Sequence, residues 1–359
     1  MTEGGLSSDA LQLDDVNRIS SYMAKKLDLA GAVTSVVKFP RGVSRETWFV
    51  TFEAESPERA GPIVLTIRRD LEGGSVCPAP LRREYDIYRC LGKTDVPAAE
   101  ALWYEDHPEH LLGGREFYVR LHVEGDWEVP GLMDLDPRFD ALREATSREH
   151  LRNMALVHLV DWNAAGFGEV LEVPDSPAAA ARAAIDRIVA QLREIQFEPL
   201  PVVEEAIGWL RRNAPTDAPA VCLIKGTNGL GEEVFRNGKI VAMSDWELSS
   251  LGDPAYDFAQ MQAFLPQDGR PLGAWSMDDA LAYYASLTGF EISKPRIAFY
   301  RLICALERVM YLHHSARAVA RREDLLVRLC WTSTEVIWGA QRELLNAVMA
   351  AQDSSKVRQ

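Results

Sequence analysis

The segment that decides the fold runs from Cys222 to Asp257 and reads CLIKGTNGLGEEVFRNGKIVAMSDWELSSLGDPAYD. Near its centre Asn237-Gly238 joins two short strand-like runs, Glu233–Phe235 and Lys239–Ser244. An Asn-Gly pair between such runs is a strong hairpin signal, because a type I′ turn needs positive φ at both central residues. Before the hairpin, Lys225 to Gly231 forms a polar loop with three glycines. After it, Asp245 leaves the second strand, followed by Gly252-Asp253-Pro254 and Asp257. A polar loop and a carboxylate at neighbouring strand ends can converge on one ligand. An isolated Asp more often caps a turn, but the acids that follow at short spacing argue for more than a cap here.

Outward from this segment the pattern changes. Asp14 to Leu29 has helical spacing, with Val16, Ile19, Met23 and Leu27 on one face. Strands are expected at Val33–Phe39, Thr47–Glu53, Pro62–Arg68 and Phe117–Val123, and a helix at Pro80–Leu91. Beyond residue 126 the chain reads as mainly helical, over 148–161, 178–196, 202–213, 278–288, 295–319 and 323–351. This gives an N-terminal helix and extension over 1–29, a β-rich lobe over 30–125 and a helical lobe over 126–359. A short connector is expected near 121–128. Two lobes joined in this way leave a cleft, where small-molecule sites preferentially form.

Composition limits the partners. The 359 residues carry 39 Lys+Arg against 53 Asp+Glu, a formal charge of −14. That excess of acid excludes a nucleic-acid partner held by general electrostatics, which needs a basic footprint. No apolar run approaches the roughly 18 residues of a membrane span, so no membrane partner is expected. Met1-Thr2-Glu3-Gly4-Gly5 lacks the basic and apolar regions of a secretory signal. The five cysteines are scattered without a CxxC pair, which points to reduced, packed thiols and a cytoplasmic protein.

The segment from 222 to 257 resembles the catalytic core of the aminoglycoside phosphotransferase family. Ser244-Asp245-Trp246-Glu247 and Gly252-Asp253-Pro254 with Asp257 match its later motifs almost letter for letter. Upstream, Gly42–Trp48 resembles the family's turn between the first two strands. Val64–Asp70 resembles its third strand, Arg83-Glu84-Tyr85 its regulatory helix, and Phe117–Gly125 its hinge strand. Leu156–Trp162 resembles a helix of the branch that includes the acyl-CoA dehydrogenase fusion kinases. The resemblance implies an α+β, protein-kinase-like two-lobed fold, with a small β-rich N-lobe and a larger, mainly helical C-lobe.

It also implies ATP and Mg²⁺ as cofactors and assigns roles by position. Arg68 would hold nucleotide phosphates with Glu84 orienting it, and Ser44 would donate to phosphate oxygens. Asp245 would hold the metal. Asp253 and Asp257 are expected to brace the loop through backbone amides. The chain departs from the family in one loop. Where the pattern has His-Gly-Asp and then Asn five residues after the Asp, this sequence has Lys225, Gly226 and Thr227, with Glu232 at the Asn position. Thr227 cannot serve as a carboxylate base, whereas Glu232 adds a negative oxygen ligand for a hard ion. General-base help is worth about 10²–10⁴-fold, and a phenol would need it least. The expected reaction is γ-phosphate transfer to a small alcohol or phenol, with Lys225, Thr227 and Asp245 at the catalytic loop. The alternative is a nucleotide-binding pseudokinase serving as a regulatory or partner subunit. Acceptor contacts are expected within 127–150 and 265–320, where Trp127, Tyr256, Trp275, Tyr300 and His313 compete between lining a pocket and packing a core.

Overall fold

The computed structural model describes residues 13–39, 44–56, 59–71, 79–108, 111–266, 275–322 and 336–356. Gly42, Val43, Cys77, Cys330 and the expected helical stretch 323–335 lie outside them. The chain divides into two compact units, Met1–Ser75 with Ala99–Val123, and Val76–Ala98 with Glu124–Gln359.

In the first unit, α1 (Leu13–Leu27) precedes five strands: β1 (Gly31–Lys38), β2 (Arg45–Ser56), β3 (Arg59–Asp70), β4 (Ala101–Glu105) and β5 (Phe117–Leu121). They form one antiparallel sheet in the order β1-β2-β3-β5-β4. Alternation sets its two faces. Trp48, Val50 and Phe52 on β2 stand opposite Ile67, Leu65 and Ile63 on β3, and all six are buried in a core with Ile19 and Met23 of α1. Each such apolar side chain contributes about 1.5–3 kcal/mol by leaving water. The opposite face carries Thr47, Thr66 and Arg68. Four of the five strands were legible as sequence; β4 was not, because all five of its residues are half-buried and show no alternation.

The second unit holds α2 (Leu81–Leu91), α3 (Asp140–His158), α4 (Trp162–Ala165), α5 (Ala180–Ile195), α6 (Pro201–Arg212), α7 (Ala255–Gln260), α8 (Met277–Thr288), α9 (Lys294–Ala320) and α10 (Ile337–Lys356). Helix α9 is its axis, with α5, α6, α7 and α10 packed against it. Ser293 caps α9 by accepting from the Arg296 amide, with a proline in the first turn, which is why the sequence marked its start within one residue. Helix α3 begins eight residues before the expected Arg148. It buries Arg143, Thr146, Ser147, Glu149, His150 and Asn153, so the apolar stripe that marks a helix in sequence is broken by polar residues. Tyr256, Trp275, Tyr300 and His313 are all buried and belong to the core. Cys90, Cys222 and Cys304 are buried free thiols. Among the described residues no helix is long and apolar enough to cross a membrane.

Candidate active site

The 222–257 segment folds back on itself. β6 (Cys222–Ile224) pairs antiparallel with β9 (Ser250–Gly252), Leu223 opposite Leu251, so the start and end of the segment lie side by side. Between them β7 (Glu233–Arg236) and β8 (Lys239–Met243) form the hairpin expected from Asn237-Gly238, and both turn residues have positive φ. The ribbon is fixed to its surroundings at several places. Phe235 exchanges backbone hydrogen bonds of 2.7 and 2.8 Å with Asp126, and the Met243 amide donates to the Pro97 carbonyl at 2.7 Å. Glu149 of α3 accepts from the Ile240 amide at 3.1 Å and from the Lys239 ammonium at 3.0 Å, and also from Arg152. Burial alone would raise the Glu149 carboxyl, but the Arg152 and Lys239 bonds and the Ile240 amide outweigh it and hold the group at about 2.

The loop before the ribbon hangs on Asp257, the fully buried third residue of α7. Its Oδ2 accepts from the Lys225 amide at 2.9 Å and its Oδ1 from the Gly226 amide at 2.9 Å. The Asn228 side chain donates to Oδ1 at 2.8 Å, and His158 Nε2 meets Oδ2 at 3.0 Å. The other ring nitrogen of His158 is 2.7 Å from the Tyr284 hydroxyl. Asp257 therefore braces the loop as expected. Asp253 acts at the neighbouring helix start by accepting from the Ala255 amide. Gly226 is required on two counts. Its φ is +84, and a Cβ there would lie 2.4 Å from the Leu248 carbonyl oxygen.

Lys225 is fully buried, not a surface lysine reaching for water. Its ammonium donates to the Thr227 carbonyl and lies 3.3 Å from Thr227 Oγ1, 3.2 Å from Glu232 Oε2 and 3.8 Å from Glu233 Oε1. Burial alone would pull its pKa down, but the charges of Glu232, Glu233 and Asp245 outweigh burial and hold it above the ordinary lysine value. Of the two acids expected to hold a metal, Glu232 is in direct contact with this ammonium. The strand ends that carry them are joined directly, since Ser244 donates to the Glu232 carbonyl through its amide at 2.8 Å and its hydroxyl at 2.6 Å. Asp245 has φ +63, a left-handed conformation that few residues other than glycine adopt, though Asp is among those that do. Thr227 donates its hydroxyl hydrogen bond to the Asp245 carbonyl.

Two further residues lie at this amine, Glu233 and His150, of which His150 carried no signal in the sequence. Glu233 is completely buried, with neither carboxyl oxygen hydrogen-bonded. Burial pushes it up to about 8, against the pull of Lys225. His150 lies 3.8 Å from it and stacks on Phe264 at 4.1 Å. Burial, reinforced by the Lys225 charge, pushes the imidazole down to about 3, so it is neutral.

The remaining expected residues lie in their own units. Arg68 on β3 stands opposite Thr47 on β2 and donates to its hydroxyl at 3.0 Å. Ser44 immediately precedes β2 at the same end of the sheet. Glu84 is buried in the first turn of α2. Among the described residues no three His, Cys, Asp or Glu side chains form a metal-binding group. Glu232 and Asp245, if brought to one ion, would offer two carboxylates, the all-oxygen donor set that a hard ion such as Mg²⁺ takes while leaving its other positions to water and phosphate.

A five-stranded antiparallel sheet in one unit, and a helical unit in which an acid-flanked hairpin follows a polar loop, are the parts of a protein-kinase-like α+β fold. A sequence profile of the phosphotransferase enzyme family matches residues 35–290, and the chain belongs to that family. Acyl-CoA dehydrogenase family member 11 of Rattus norvegicus is 23% identical over 310 residues, covering 80% of this chain and 37% of that protein. The chain thus spans little more than a third of that relative. Among solved structures, a Ralstonia eutropha protein provisionally named an aminoglycoside phosphotransferase has a TM-score of 0.66 and 22% identity, over 92% of this chain and 94% of its own. A thermostable mutant of aminoglycoside phosphotransferase APH(4)-Ia, in ternary complex with AMP-PNP and hygromycin B, has a TM-score of 0.54 and 15% identity, over 92% and 98%.

Proposed function

We propose that the protein is an ATP-dependent phosphotransferase that moves a γ-phosphate to a hydroxyl of a small molecule in the cytoplasm. The observation that carries this reading is the placing of Glu232 and Asp245 at the joined ends of the ribbon, with Glu232 Oε2 3.2 Å from the buried Lys225 ammonium. The nucleotide and antibiotic bound by APH(4)-Ia support it by analogy. Glu232 and Asp245 hold Mg²⁺ in this reading, and Ser44 and Arg68 serve the phosphates, with Glu84 as the acid of that set. When bound, the ion neutralises charge on the phosphate oxygens. Asp257 keeps the loop backbone in place, and Asp245 sits in a left-handed backbone conformation at the end of the second ribbon strand.

Phosphoryl transfer asks the protein mainly for position and charge. Lys225 supplies a fixed positive charge on the catalytic loop. Thr227, whose hydroxyl is committed to the Asp245 carbonyl, braces the loop and accepts no proton from an acceptor. That same observation favours the second reading, a nucleotide-binding partner subunit without turnover. Asp245→Asn tests the metal assignment. Mg-dependent binding of ATP, measured by calorimetry, should be lost while the circular dichroism spectrum is unchanged. Unaltered affinity removes Asp245 from the site. Acceptor-dependent ADP release from a panel of alcohols and phenols separates the two readings, since saturable ATP binding with no release from any acceptor favours the partner subunit.

A further inference from the structure

The shell around the Lys225 ammonium is made of oxygen. The Thr227 carbonyl and hydroxyl, Glu232 Oε2 and Glu233 Oε1 all face it, the last three at 3.2 to 3.8 Å. Carbonyl, hydroxyl and carboxylate oxygens are the ligands that hard divalent ions take. Glu233, with no exposed surface and no hydrogen bond on either oxygen, has its Oε1 3.8 Å from this ammonium and 3.8 Å from His150 Nδ1. The indole of Trp246, also fully buried, lies 5.9 Å from the same ammonium and closes the shell on another side. A lysine tethered by its own backbone to Asp257 cannot leave this position as a free ion can.

Resting on the phosphotransferase reading, we propose that the Lys225 ammonium is a built-in substitute for a metal ion, so that the site loads its nucleotide with one divalent cation and excludes a second. Two cations cannot share one oxygen shell, and here the resident one is covalent. Glu232 is divided between the two roles, with Oε2 on the ammonium and its other oxygen left for the ion. Removing the amine would leave the Thr227 and Glu233 oxygens, with Glu232 Oε2, facing a space able to take an ion.

The test counts ions and does not depend on turnover. Mn²⁺ is titrated into the full-length protein saturated with AMP-PNP, and free Mn²⁺ is read by electron paramagnetic resonance. Wild type should bind one Mn²⁺ per bound nucleotide, and Lys225→Ala should bind two. Lys225→Gln, which keeps most of the bulk without the charge, serves if the alanine variant does not fold, and if neither folds the wild-type count decides alone. Two ions in wild type overturn the inference and leave the phosphotransferase reading standing. A variant that still binds one also overturns it, because the ammonium then excludes nothing. If wild type binds no nucleotide-dependent Mn²⁺, the inference and the reading it rests on fail together.

Discussion

Asp257→Asn replaces one oxygen of the loop's anchor with an amide, and the geometry specifies what is lost. If the Asn oxygen takes the Oδ1 place, the bonds from the Gly226 amide and the Asn228 side chain survive. The new NH₂ then points at the Lys225 amide and at His158. The histidine can adapt by changing tautomer, accepting at Nε2 and donating from Nδ1 to the Tyr284 hydroxyl, 2.7 Å away. The Lys225 amide cannot, and is left buried against another donor. Losing one hydrogen bond to a charged acceptor costs about 1.5–3 kcal/mol, so about 2–3 kcal/mol is expected once the donor–donor clash is included. Because two-unit proteins need not unfold in one step, the appropriate assay is native-state hydrogen exchange on a peptide spanning 222–231. At 1.4 kcal/mol per tenfold, exchange there should accelerate about 30- to 150-fold, with α9 unchanged. Asp257→Ala, which removes all four bonds, should accelerate it further or prevent folding. Exchange in Asp257→Asn within threefold of wild type would refute the anchor role.

Two other outcomes follow from the same geometry. Glu149, held at about 2 in the folded protein against 4.5 for a free glutamate, contributes stability that is complete above about pH 4.5 and is lost as the pH falls toward 2. The shift corresponds to at most about 3 kcal/mol, and exposure of its Lys239 and Arg152 partners reduces this to about 1–2. Denaturant titrations should therefore show Glu149→Gln about 1–2 kcal/mol less stable at pH 7, with the gap closing below about pH 3; a gap independent of pH disproves the clamp. Gly226→Ala and Gly231→Ala form a matched pair, both at positive φ, but only the first would place a Cβ against backbone. Gly231→Ala should cost about 1 kcal/mol of backbone strain and Gly226→Ala about 3 or more, read as denaturation midpoints; equal losses would mean the Leu248 carbonyl yields.

The sequence carried the hairpin, the capped start of α9 and four strands of the sheet because their signals are local. A turn dipeptide, a serine cap with proline, and strict alternation all act within a few residues of themselves. The resemblance of 244–257 to a known core added the family, which the profile match bears out. The long-range polar ties were out of reach. Nothing near Glu149 says that it will meet Ile240 and Lys239, because the contact is made across the fold and leaves no periodicity. Its neighbours hide α3 for the same reason, as polar residues buried in partnered positions look in sequence like a solvated stretch. Lys225 shows the limit most clearly. As a letter in a glycine-rich loop it reads as well as a surface amine as a buried cation, and only the packing of Thr227, Glu232 and Glu233 around it decides.

The pairing of β6 with β9 has a bearing on how such a centre can be inherited. Because the stretch begins and ends on neighbouring strands, closing it spans a modest length of chain, and the entropy of that closure grows only slowly with length. The acids, the amine and their anchor thus lie within one contiguous stretch of chain. Outside the segment, the centre leans on a few fixed points, Glu149 and His158 of α3 and Tyr284 of α8, and those positions are the ones that cannot change without rebuilding it.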